Sequence, residues 1–181
     1  MYKINTLLVF LCSITLAFSQ DNKIYWSSAP TVTSSNEKIA KGSINGIGYT
    51  YTSSKPIEFS DEIFSYSTFP TSKKIPNQKC IKNTQVSKNT IIFDKPVKDP
   101  YLLFASIGRP RTTVSINFDQ EFIIEFQKGI TYPIIGNVIK GEEGYLMVRI
   151  PGIHSKISFD YTVAENYANF MFGASVCPLN N

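Results

Sequence analysis

Hydrophobic and polar residues alternate with a period of two along most of the chain, and no stretch keeps a helical period of 3.6 for three turns. The clearest alternating series lie at residues 47–51, 114–118, 146–150, 157–161 and 170–176. Further strands are predicted at residues 63–66, 89–93, 101–107 and 121–126. Because each series presents one apolar and one polar face, the chain is predicted to be all-β.

Turn-forming pairs separate these series at intervals of roughly 8 to 12 residues, which is typical of sandwiches and barrels. They include Asn45-Gly46, Lys95-Pro96, Asp99-Pro100, Lys128-Gly129 and Pro151-Gly152. Several proline-containing connections favour a two-sheet antiparallel β-sandwich of jelly-roll or Greek-key type over a simple meander. The polar, lysine-rich segment at residues 67–87 is predicted to be a long loop or an excursion at a sheet edge.

The N-terminus has the layout of a secretory signal peptide. Lys3 supplies one positive charge, a short apolar run follows at residues 7–16, and Ala17 and Ser19 place small residues before a cleavage site. We predict cleavage before Gln20, a signal peptide over residues 1–19 and one secreted or periplasmic domain over residues 20–181. The alternative is an uncleaved anchor, but a spanning helix needs about 20 apolar residues, so no transmembrane segment is expected in the mature chain.

The charge balance is mildly basic, with 18 Lys and Arg against 14 Asp and Glu, a net charge of +4. This excess is too small to indicate nucleic-acid binding. The local excess comprises Lys73, Lys74, Lys79, Lys82, Lys88, Lys95 and Lys98, with Asp94 as the acid among them. Such a run suits an anionic polysaccharide or a lipid headgroup, and it equally suits a solvated strand edge that lysines protect from pairing.

Two of the three cysteines remain in the predicted mature chain. Cys12 leaves with the signal peptide, so Cys80 and Cys177 form an even pair in an oxidising compartment. We predict a disulfide between them, which by the chain-entropy account stabilises the fold by about 4 to 5 kcal/mol for so long a loop. Two separate buried thiols are the alternative.

Two stretches resemble a known kind of domain. Residues 91–100 and 102–108 resemble the strand, Pro-Val turn and strand unit of secreted bacterial β-sandwich domains. Residues 141–152, 157–162 and 165–167 are similar to the final strands of such domains, which close on an aromatic-glycine strand like 170–174. The signal peptide resembles those of Bacteroidetes-type bacteria. The resemblance implies a jelly-roll fold of the kind used by carbohydrate-binding modules, and it carries over no catalytic motif.

Catalytic and metal-binding chemistry has few candidates. His154, the single histidine, lies in a predicted turn without a nucleophile elbow, which favours a solvated loop residue over a Ser-His-Asp centre. Glu142, Glu143 and Glu165 are the best carboxylates for glycoside hydrolysis. Glu142 and Glu143, between two glycines, are also weak candidates for ligands of a structural calcium, and both fit a charged hairpin tip equally well. No cofactor is expected.

Aromatic and basic side chains supply the candidate ligand-binding residues. With Leu146, Val148 and Ile150 in the core, Tyr145 and Arg149 share the opposite face of one strand. A tyrosine beside an arginine suits a sugar ring and its acidic group. Arg109 and Arg111 are expected at the rim, and Trp26 is a further platform; core packing is the alternative for Trp26 and most tyrosines.

The sequence therefore favours a secreted, non-catalytic module that recognises carbohydrate, with an anionic glycan among the candidates because of the lysines. A structural or adhesive subunit that binds a protein partner through a strand edge is the alternative. A carboxylate-dependent glycan-degrading enzyme is the third hypothesis. The sequence does not indicate an oligomeric state.

Overall fold

The computed structural model describes residues 23–32, 37–60, 67–130, 134–164 and 168–175. The predicted signal peptide, the predicted strand at 63–66, Glu165 and Cys177 lie outside these ranges. The described strands are β1 (Ile24–Trp26), β2 (Ile39–Ile44), β3 (Ile47–Ser53), β4 (Glu58–Phe59), β5 (Ile81–Asn83), β6 (Ser87–Ile107), β7 (Val114–Phe118), β8 (Ile123–Lys128), β9 (Val138–Gly141), β10 (Gly144–Arg149), β11 (Ile153–Tyr161) and β12 (Ala168–Ser175). A short 3-10 helix covers Thr71–Lys73.

The all-β prediction is confirmed. The twelve strands form one antiparallel sheet, and within the described residues no helix is long and apolar enough to cross a membrane. The Asn45-Gly46 turn joins β2 to β3 with positive φ at both residues, 45° and 80°, as a tight hairpin turn requires.

Strand β6 is one continuous strand that covers both of the strands predicted at residues 89–93 and 101–107. The predicted turns at Lys95-Pro96 and Asp99-Pro100 do not end it. Its first half pairs with β3 and β11, and its second half pairs with β10 and β12. The prolines lie where these partners change, so a missing N–H costs little there. Asp99 has a φ of 46°, and its backbone N–H donates to Gly152 O at 2.7 Å, which holds the bend.

A central core contains the apolar faces of both halves of β6 and of their neighbours. Rings from β3 and β11 contact rings from β12 and β6: Tyr49 lies 4.7 Å from Phe172, and Phe159 lies 5.2 Å from Phe170, between ring centroids. Tyr51 donates its hydroxyl hydrogen to Asn89 Oδ1 at 2.7 Å, and burial raises the pKa of this tyrosine. The core therefore satisfies at least this polar group internally.

A second cluster covers the other face of the second half of β6. Its buried members are Phe69, Cys80, Tyr101, Leu103, Ala105, Met147 and Met171. The segment at residues 67–80 supplies Phe69 and Cys80, so the predicted loop packs over the sheet and leads into β5. Cys80 is buried in this cluster and forms no disulfide with any described residue. Because Cys177 is not among the described residues, the disulfide stays a prediction.

Candidate ligand-binding groove

The predicted face of Tyr145 and Arg149 is largely covered by the second cluster. Met147, between them on β10, is fully buried. Tyr145 is half-buried, and its ring lies 6.0 Å from that of Phe69. Tyr145 and Arg149 share one face, as the alternation predicts, but the segment at residues 67–80 covers much of the surface that a sugar ring would need.

Arg149 belongs to a network of charged side chains on this face. Its Nε donates to Glu125 Oε1 at 2.7 Å, and Lys73 Nζ donates to Glu125 Oε2 at 2.9 Å. Arg149 Nη1 also lies 3.9 Å from Asp99 Oδ1. Partial burial by itself raises the pKa of Glu125, but the hydrogen bonds and charges of Arg149 and Lys73 outweigh it, so the pKa lies below its ordinary value of 4.5.

This network should make stability depend on pH. Because the folded-state pKa of Glu125 is depressed, its contribution is present above pH 4.5 and is lost as the pH falls through the folded-state value. We expect Glu125→Gln to lower the free energy of unfolding by about 1 kcal/mol at pH 7, since the side chains reach solvent. Urea denaturation at pH 7 and pH 3 checks this. The exposed Glu121→Gln is the control, and an equal loss at both pH values would contradict the expectation.

Trp26 packs against the same region of the sheet. Its Nε1 donates to Lys73 O at 3.0 Å, and its half-buried ring packs against the second cluster. Lys73 Nζ in turn lies 5.3 Å from the centroid of the Tyr101 ring. Trp26 therefore helps fasten the 67–80 segment to the sheet.

Arg109 and Arg111 are both exposed, at the end of β10 where Gly144 pairs with Ile107. Arg149 pairs with Tyr101 at the opposite end of that strand, so the structure does not bring the three arginines together. Arg109 Nε donates to Thr112 Oγ1 at 3.2 Å, and the backbone N–H of Arg111 donates to Glu142 Oε1. These contacts brace a turn.

The other predicted chemistry is not assembled either. Glu142 and exposed Glu143 connect β9 to β10, two strands that do not pair with each other, so the interpretation as a hairpin tip is wrong. No group of three or more His, Cys, Asp or Glu side chains converges for a metal ion in the described ranges. His154 lies on β11, where it pairs with Val97, so the prediction of a loop residue is wrong; its Nε2 lies 2.8 Å from Pro151 O.

A different set of side chains, all of them polar except Val138, forms a row across the sheet. Lys88 on β6 pairs with Asp160 on β11, Asp160 pairs with Asn117 on β7, and Asn117 pairs with Val138 on β9. Ser54 extends the row beyond β3, because its Oγ accepts from the backbone N–H of Lys88 at 3.0 Å. Directly paired residues in a sheet point to the same side, and all five are at least partly exposed.

Two cavities follow this row, and Asp160 lines both of them. The larger, about 410 Å³, is lined by Ser54, Val86, Ser87, Lys88, Asp160, Tyr161 and Thr162. The smaller, about 160 Å³, is lined by Asn117, Phe118, Asp119, Ser158, Phe159 and Asp160. Both are open to solvent. We call the row and its two cavities the Asp160 groove.

Hydrogen bonds, some of them buried, hold the groove in place. Ser87 Oγ, at the larger cavity, donates to Asn83 Oδ1 at 2.9 Å and accepts from Asn89 Nδ2 at 3.1 Å. At the smaller cavity, Asp119 Oδ1 accepts from the backbone N–H of Ser158 at 3.1 Å. Within the part of the chain that the structure describes, the side chains of Asp160 and Asn117 make no hydrogen bond, so their polar atoms face the groove uncommitted.

Only part of this site was predictable from the sequence. Alternation predicted Asn117 and Asp160 on the polar faces of their strands, but nothing in the sequence aligned the two strands.

Comparison of the chain with protein-family models, with curated proteins and with solved structures finds no match in any of the three.

Proposed function

We propose that this protein is a secreted, non-catalytic module that binds carbohydrate in the Asp160 groove. The observation that carries the proposal is the row from Ser54 to Val138, which lines up a hydroxyl, an ammonium, a carboxylate and an amide along two adjoining open cavities. Secretion rests on the signal-peptide pattern at residues 1–19.

These groups match the hydrogen-bonding pattern of a sugar. The Asp160 carboxylate accepts from hydroxyl groups, while the Asn117 amide both donates and accepts. Hydrogen bonds to charged groups contribute about 1.5 to 3 kcal/mol each, more than neutral ones. Val86, which lines the larger cavity and is 51% exposed, adds apolar contact for the C–H face of a ring.

We further infer that the sheet folds on itself as a two-layer sandwich of jelly-roll type. In support, the first half of β6 pairs with β3 and β11 while its second half pairs with β10 and β12, and rings from these two sets of strands pack together. The resemblance of residues 91–100, 102–108, 141–152, 157–162, 165–167 and 170–174 to secreted bacterial β-sandwich domains points the same way. In that arrangement the Asp160 groove lies on the outer side of one layer.

A glycan-array screen of the purified protein tests the function. We expect binding to a defined class of glycans, reduced at least about tenfold in Asp160→Ala, because that variant loses a charged acceptor at the junction of the cavities. Lys156→Ala is the matched control, since Lys156 is exposed on the same strand but does not line either cavity. Equal binding by both variants, or no binding at all, would contradict the proposal.

The same screen separates binding from hydrolysis. Asp119 and Asp160 both line the smaller cavity, so a glycan that binds should also be incubated with the protein and examined for new reducing ends. A release that Asp119→Asn abolishes would make the protein an enzyme.

A protein partner is the second candidate, because β8 presents an apolar edge. Within the described residues β8 pairs only with β10, and Ile123 and Ile124 are 45% and 39% exposed. An extended segment of another protein would add to such an edge by main-chain hydrogen bonds. Capture of a partner that Ile124→Lys abolishes and Asp160→Ala leaves unchanged would favour this function.

A further inference from the structure

We propose that the Asp160 groove takes an internal stretch of a linear, uncharged polysaccharide, which runs across the strands over about four sugar residues. This inference rests on the carbohydrate-binding function proposed above and specifies the class and the direction of its ligand.

The direction follows from the register. The row Ser54, Lys88, Asp160, Asn117 and Val138 takes one position on or next to each of β3, β6, β11, β7 and β9. Neighbouring strands lie about 4.8 Å apart, so the row is about 19 Å long. An extended chain of pyranose rings advances by a similar distance per residue. Successive sugars would therefore meet successive strands.

The shape of the groove favours the interior of a chain over its end. The two cavities are open to solvent, and Asp160 lines both of them. Ser54 at one end of the row is exposed, and Val138 at the other end is partly exposed. A site for a chain terminus needs a wall that stops the chain, whereas an open trough lets the chain continue at both ends.

The charges of the lining favour an uncharged chain. Lys88 contributes one positive charge, and Asp119 and Asp160 contribute two negative charges. Acidic sugars would be repelled at the smaller cavity, where Asp119 and Asp160 both lie, although the protein as a whole is basic. The lysines that suggested an anionic glycan do not gather here, since Lys73 pairs with Glu125 in the second cluster and only Lys88 of that run lines the groove.

The test is a chain-length series measured by calorimetry, using linear β-1,4-linked gluco- and manno-oligosaccharides of one to six residues. We expect affinity to rise with length up to about four residues and then to level off, as the groove becomes filled. Asn117→Ala should lower the affinity for the tetrasaccharide about fivefold and leave the affinity for the disaccharide nearly unchanged, because the shorter ligand can occupy the Lys88 end alone. A uronic-acid oligomer of equal length should bind at least about tenfold more weakly, and Asp119→Asn should narrow that difference.

The outcomes distinguish this inference from the function on which it rests. If a monosaccharide binds as tightly as the tetrasaccharide, or if the acidic oligomer binds best, the inference is wrong while carbohydrate binding stands. If no oligosaccharide binds and the array is also blank, both are wrong. Loss of affinity for every length in the Lys156→Ala control would place the site elsewhere on this face and overturn the inference.

Discussion

Replacing Phe104 by alanine is expected to lower the free energy of unfolding by about 3 to 5 kcal/mol, the usual range for a buried phenylalanine. Phe104 lies on the second half of β6 and has no exposed surface. Its ring centroid lies 5.7 Å from that of Phe159, 6.0 Å from those of Phe118 and Phe170, and 6.2 Å from that of Tyr161. These four rings come from three other strands, so the cavity left by the substitution could close only if those strands shifted.

Chemical denaturation followed by circular dichroism measures this effect. Such a loss would be a large part of the 5 to 15 kcal/mol that stabilises an ordinary domain, so the variant should unfold at a much lower denaturant concentration. Ile92→Ala is the control, because Ile92 lies on the same strand but is 46% exposed. We expect this variant to lower the free energy of unfolding by less than about 1 kcal/mol. Similar losses in the two variants would show that the ring cluster is not the core.

Gly173→Val is expected to displace β1 from β12 and to expose Trp26. A Cβ atom at Gly173 would lie 2.8 Å from Tyr25 O and 2.9 Å from Trp26 Cε3, closer than real Cβ contacts allow. The backbone oxygen cannot move without breaking the pairing of Trp26 with Gly173, so relief requires β1 to shift as a unit. Overpacking of this kind costs about 1 to 3 kcal/mol, and the lost strand pairing adds to it.

Tryptophan fluorescence reports this displacement directly, because Trp26 is the only tryptophan of the chain. We expect a red shift of the emission in Gly173→Val under native conditions, together with a lower unfolding midpoint. Ser175→Ala is the control on the same strand: among the described residues the buried Ser175 hydroxyl has no hydrogen-bond partner, so its removal should leave the emission unchanged. An unshifted emission in Gly173→Val would mean that β1 packs differently.

The strands were predictable wherever one face is buried and the other is wet. Series such as 114–118 and 157–161 alternate because β7 and β11 cover the core on one side only. The second half of β6 is different: Tyr101, Leu103 and Ala105 are buried in the second cluster while Leu102 and Phe104 are buried in the central core. Its side chains are therefore apolar on both faces, and the sequence did not reveal what covers the second one.

The surroundings of the predicted binding residues could not be predicted from local sequence patterns. Tyr145 and Arg149 share a face, as their spacing on β10 requires, but a segment about 70 residues earlier in the chain packs onto that face through Phe69 and Lys73. Arg149 is consequently committed to Glu125, a contact between two strands that no local pattern indicates. Side-chain direction is a local property, whereas exposure depends on which distant segment covers it.

The sequence by itself determined the all-β class, the tight turn at Asn45-Gly46 and the outward direction of Asn117 and Asp160, because period-two alternation and turn chemistry act over a few neighbouring residues. Only the tertiary structure decided that β6 would continue through its prolines and change partners, and that Lys88, Asp160 and Asn117 would stand in one row. Register joins residues that lie far apart in the chain, and a shift of two residues would preserve every alternating face while taking the Asp160 groove apart.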